Sequence, residues 1–280
     1  MKFLLKQTES AKILLDKFVF KIVPQLNPDG VYRGYWRLDT LAQNLNRFYI
    51  NPHPEQQPTI HGVKKVIVQQ YEYKHLDVYV DLHAHASKRG CFMFGNNLKG
   101  EDMLKNMLLP KLVSLNSLNF DWLECAFSEG MMKVRDKKDG LTREGCGRVS
   151  IMQACGGLPN CYTLECNYAS GRSINHLSQK LNIETGQIEP ELPITDCKNR
   201  FYTEANNGKD NKKKDAPAYT IEVFEDIGRA FCIGLLDFYE CNPVSRLPLS
   251  IYKNIDGVKN DLLAKNQIFI PKKKAEEPKV

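Results

Sequence analysis

Short runs of β-branched and aromatic residues alternate along this chain with stretches whose apolar residues recur at helical spacing, and that alternation narrows the fold more than any other property. Phe18 to Pro24 (FVFKIVP), Leu76 to Leu82 (LDVYVDL), Cys91 to Phe94 and Tyr162 to Cys166 (YTLEC) read as strands. Pro58 to Tyr73 carries Ile60, Val63, Val66 and Ile67 at helical steps, and Glu101 to Leu115 reads as a helix broken at Pro110. Tyr219 to Glu240 is the clearest helix: Ile221, Phe224, Ile227, Phe231, Leu235 and Phe238 recur at three- and four-residue steps. Such alternation predicts an α/β fold, a mixed sheet flanked by helices, with functional residues gathered at strand ends.

With 280 residues the chain is long enough to bury a sizeable core, and 42% hydrophobic against 26% charged residues is ordinary globular composition. Net charge is +6, and lysines cluster at 133–138, 212–214 and 272–274. Such runs read first as solvated loops; clustered positive charge also steers an acidic partner. Neither a nucleic acid nor a membrane is expected as partner. The nine cysteines are odd in number and scattered, without a Cys-x-x-Cys pair, which points to a reducing, cytosolic compartment. The N-terminus meets lysine and glutamate too early for a signal peptide. Thr203 to Pro217 is polar and reads as an exposed insertion within a unit spanning 1–243; 244–280 reads as a C-terminal extension ending in a basic tail, disordered from Pro271.

Four features carry candidate chemistry. His83 and His85 follow Asp81 just past a strand, on one side of its pleat. A strand-end histidine is more often structural than a ligand, but a nearby carboxylate is the usual orienter of a metal-bound imidazole. Within Asn27 to Arg47, Arg33, Arg37 and Arg47 are surface arginines taken singly, yet a guanidinium beside Asn46 suits bidentate grip on a carboxylate. Glu165 lies mid-strand, so it faces solvent at an edge, pairs with another group, or works as a base. Arg148 sits between Gly145-Cys146-Gly147 and the strand-like run Val149-Ser150-Ile151; exposure is its plain reading.

In chain order, Asn27-Pro28-Asp29-Gly30, Trp36-Arg37, Leu45-Asn46-Arg47, Asp81-Leu82-His83 and Tyr162-Thr163-Leu164-Glu165 resemble the zinc carboxypeptidases of the carboxypeptidase A type. The longer strings DLHAHASKRGCFMF (81–94), MLLPKLVSLN (107–116) and YTLECNYASGR (162–172) are similar to the cytosolic carboxypeptidases that trim glutamates from tubulin, the type-five subgroup above all. The resemblance spans roughly 10–243. It implies a zinc cofactor with His83 as the third ligand, Arg37 polarising the scissile carbonyl, Asn46 and Arg47 clamping the terminal carboxylate, and Glu165 as general base. Arg148 is the candidate for the substrate's glutamate side chain. The implied partners are tubulin or other glutamate-rich tails, in a cytoplasm with microtubules or cilia at hand.

Two departures modify the expectation. The family's other two zinc ligands come from a His-x-x-Glu motif upstream of the Asn-Pro-Asp-Gly loop, and no His-x-x-Glu occurs here. Met152 stands where the family has a tyrosine near the substrate. The chain is therefore expected to be N-terminally incomplete or a degenerate paralogue, with weak zinc binding. Its complete form is expected to be a metallocarboxypeptidase; the rival reading is an inactive protein that binds acidic tails, and the blandest is a misfolding fragment with exposed sheet edges.

Overall fold

The computed structural model describes residues 1–135, 140–190, 217–266 and 268. In chain order the helices are α1 (Glu9–Lys17), α2 (Pro28–Tyr32), α3 (Pro58–Glu72), α4 (Gly100–Asn116), α5 (Glu129–Lys133), α6 (Gly147–Ala154), α7 (Ile221–Phe238) and α8 (Ile255–Asn266). The strands are β1 (Tyr79–His85), β2 (Cys91–Phe94), β3 (Cys161–Asn167), β4 (Lys180–Asn182), β5 (Ile188–Glu189) and β6 (Val244–Ser245). β1, β3 and β2 form the main sheet in that order, and β4 lies between β5 and β6 in a small antiparallel one. β1 runs parallel to β3 and β2 antiparallel, so the main sheet is mixed and helices flank it, as the alternation predicts.

The sheet divides its residues by the period-two pleat. Cys91, Met93, Tyr162 and Leu164 point into an apolar cluster with Leu109 and Val113 of α4 and Ile227, Ala230, Leu235 and Leu236 of α7. The two helices approach closely at Gly234, where a Cβ would stand 3.0 Å from Val113 Cγ2. On the opposite side, Ile151 and Met152 of α6 and Cys155 just after it pack with Tyr49, Ile60 and Cys161. Burying these apolar faces is the main force holding the helices to the sheet. Within the described residues β1 is an edge strand, and its Leu82 is 74% exposed.

Three local expectations are corrected. α4 is continuous through Pro110. A proline removes the N–H that would reach Asn106 O and normally breaks the helix; here the Tyr162 hydroxyl donates to that oxygen at 2.9 Å, so the orphaned carbonyl is satisfied from the sheet. Phe18 to Pro24 has no regular structure and joins no ladder among the described residues: Phe18 and Phe20 pack on the core, while Val19, Ile22 and Val23 are exposed. The run Val149 to Ile151 is helical, because helical spacing turns Ile151, Met152 and Cys155 together into one cluster. The 203–217 insertion lies outside the described residues except for Pro217, which is buried and accepts the Gly171 N–H. Also outside are the tail from Pro271, the lysines at 136–139, 212–214 and 272–274, and Cys197.

Replacing Tyr162 by Phe leaves Asn106 O without a donor beneath a proline that cannot supply one. The expected cost is about 1–3 kcal/mol, measured as a lowered urea midpoint with unchanged slope.

Candidate functional site

The parallel ladder sets His83 opposite Glu165, and β2 sets Phe92 opposite Glu165 on the other side. Asp81 and His83 share one face of β1, so three ionisable groups meet above the sheet. Asp81 Oδ2 lies 2.9 Å from His83 Nε2, and Glu165 Oε1 is 3.6 Å from Nδ1, an ion-pair distance rather than a hydrogen bond. Of the three sequence readings of Glu165, the solvent-facing edge is the one that does not hold: the residue is 8% exposed on the central strand, faces His83, and its Oε2 is buried without a hydrogen-bond partner. Burial is the largest influence on His83 and disfavours its charge, yet Asp81 and Glu165 together outweigh it and push His83 up to about 10.

Asn46 reaches this cluster from the 3₁₀ turn Leu45–Arg47. Its Oδ1 accepts the Gly147 N–H of α6 at 2.9 Å, while its Nδ2 stands 3.4 Å from His83 Nε2. That approach requires glycine at 147, where a Cβ would lie 2.5 Å from Tyr79 Oη and 3.1 Å from Asp81 Oδ2. Tyr49 and Tyr79 adjoin Asp81; burial first, then the Asp81 charge, raises both phenols, so both remain hydroxyls. Arg47 adjoins Asn46 and donates to the Asn46 carbonyl at 2.7 Å. His85 serves the loop, accepting the Lys88 N–H at 2.9 Å.

The remaining residues stand apart. Arg148 is not the exposed arginine of the plain reading: it is 2% exposed, and its guanidinium donates to Gly95 O, Asn96 Oδ1 (2.8 Å) and Met131 O (3.3 Å). Burial lowers its pKa from the usual guanidinium value. Asn96, the residue holding Arg148, was not picked out from the sequence; it lies 52 positions away, with no local signal. Met152 is buried in the apolar cluster with Tyr49 and Ile60. Arg37 is exposed, 5.9 Å from the Trp36 ring, and lines a cavity of about 510 Å³ with Tyr35, Leu38 and Asp39; none of that cavity's lining residues belongs to the His83 cluster.

A catalytic zinc needs three protein donors and a neutral imidazole. Among the described residues no group of three or more His, Cys, Asp and Glu donors converges as a metal site, and both His83 nitrogens face carboxylates. The donor set of the described residues does not fit a zinc ion.

The chain is 33% identical to cytosolic carboxypeptidase-like protein 5 of Danio rerio, in an alignment that takes in 94% of this chain and 38% of that protein. It is 31% identical to cytosolic carboxypeptidase 6 of Homo sapiens, over 86% of this chain and 39% of that protein. It thus spans well under half the length of the curated relatives it matches. No protein-family model matches it. Among solved structures, the metallo-carboxypeptidase from Burkholderia cenocepacia superposes with a TM-score of 0.55 at 18% identity, covering 84% of this chain and 48% of that one, a likeness of fold.

Elemental analysis of the purified, dialysed chain is expected to find well under one zinc per polypeptide; stoichiometric zinc would require a ligand set that the described geometry does not contain.

Proposed function

Because the chain belongs to the zinc-carboxypeptidase superfamily, on its cytosolic carboxypeptidase branch, we propose that it supplies the base and the carboxylate clamp of a peptidase removing glutamates from acidic C-terminal tails or branch points, tubulin's among them. The observation that carries this reading is the convergence of Glu165, His83 and Asn46 on one face, with Glu165 Oε2 buried and unpartnered. A carboxylate kept dry and short of one hydrogen bond is suited to taking a proton from an attacking water.

The other roles follow from the chemistry of the side chains. Asn46 and Arg47 grip the substrate's terminal carboxylate, which restricts cleavage to chain ends. For Arg37 the proposed role, stabilising the charge that develops on the scissile carbonyl oxygen, rests on the family resemblance alone, because the residue lines a cavity apart from the His83 cluster. For Arg148 the proposed role, attraction of an acidic substrate side chain, rests on the family resemblance alone, because its buried guanidinium is already held by Gly95 O, Asn96 Oδ1 and Met131 O. His83 is the one family zinc ligand in this sequence, and hydrolysis is proposed for a form in which further donors join it. The relatives are named as cytosolic proteins, and the same location is proposed here. Association with microtubules or cilia follows from the tubulin reading.

The test uses such a metal-complete form and a peptide ending in several glutamates. Glu165→Gln is expected to lower the rate of glutamate release by about 10²- to 10⁴-fold while leaving peptide affinity within a factor of two or so. Retained turnover removes Glu165 from the mechanism; binding without turnover in the unsubstituted protein favours the tail-binding rival.

A further inference from the structure

Beneath the site, on the apolar side of the sheet, two thiols face each other across β2 and β3. Cys91 and Cys166 are direct partners in the antiparallel register. The Asn167 N–H donates to Gly90 O at 3.0 Å, which makes the neighbouring Gly90–Asn167 step the hydrogen-bonded one. Hydrogen-bonded and non-hydrogen-bonded pairs alternate in an antiparallel ladder, so Cys91 and Cys166 form a non-hydrogen-bonded pair, whose Cα atoms stand about 4.5 Å apart with their side chains close. That spacing lies at the lower end of the range a disulfide spans, about 4.4–6.8 Å. Eight cysteines are free among the described residues, and of these only Cys91 and Cys166 face each other in a ladder.

The two positions differ in access. Cys91 is fully buried, with Tyr219 as a further neighbour; Cys166 is partly exposed. The adjoining Cys166 thiol, then burial, raises the Cys91 pKa; partial exposure makes Cys166 the thiol that small reagents reach.

We propose that Cys91 and Cys166 form a reversible intramolecular disulfide by exchange with a low-molecular-weight disulfide of the oxidised-glutathione class. The Cys166 thiolate attacks one sulfur of the reagent, forming a mixed disulfide and releasing one small thiol. Cys91 then attacks the Cys166 sulfur, giving up its proton to solvent, and displaces the second small thiol. Two protein thiols are oxidised and one small-molecule disulfide is reduced to two thiols. With Cys166 partly exposed, the bond is open to reduction by exchange, as in regulatory rather than buried structural disulfides. The linkage stands independently of the proposed peptidase activity, although it tightens β2 against β3 at the position next to Glu165.

The test is thiol trapping. Reduced chain is incubated with graded ratios of oxidised to reduced glutathione, alkylated, digested and mapped by mass spectrometry. A Cys91–Cys166 linked peptide is expected as the first disulfide to form and the first lost on returning to reduced glutathione. Cys91→Ala is expected to accumulate glutathione on Cys166 instead, and Cys166→Ser to leave Cys91 unmodified. Full alkylation of both cysteines across the series, or a first linkage between any other pair, overturns the proposal.

Discussion

Everything chemical in this protein depends on the parallel pairing of β1 with β3 in one register. That ladder sets His83 opposite Glu165 although the two lie 82 positions apart in sequence. Because side chains alternate with a period of two, a slip of one residue would send Asp81 and His83 to the apolar face and Val80 and Leu82 to the site. Register is fixed by what lies under the strands: Tyr162 and Leu164 are buried against α4 and α7, and exchanging them with Thr163 and Glu165 would place a carboxylate in that core.

The two faces are thus linked through single residues. Tyr162 holds the carbonyl that Pro110 orphans, tying the sheet to α4, while its neighbours in β3 carry the site. On the other face α6 brings Gly147 against Tyr79 and Asp81 and hands its N–H to Asn46. Asn46 is held by a helix terminus, so its position next to His83 is inherited from the packing of α6 on the sheet rather than from the loop that carries it.

Much of the layout was legible in the sequence. Alternating strand and helix patterns gave the mixed sheet, the apolar stripe of α7 gave its span to within two residues at each end, and Asp81 beside His83 signalled an orienting carboxylate. What stayed hidden was tertiary. No local pattern tells that a tyrosine 52 residues beyond Pro110 will satisfy the carbonyl the proline orphans, or that Asn96 will hold Arg148. Val149 and Ile151 are β-branched and favour a strand locally; the spacing of Ile151, Met152 and Cys155 carried the helical signal that decided the outcome.

The central claim is that His83 and Glu165 interact across the β1–β3 ladder, and a double-mutant cycle in metal-free protein measures it. Unfolding free energies of the unsubstituted chain, His83→Ala, Glu165→Gln and the double variant are expected to give a coupling of at least about 0.5 kcal/mol, whereas effects that add to within about 0.3 kcal/mol would mean that the two residues do not meet and that the site described above is not formed.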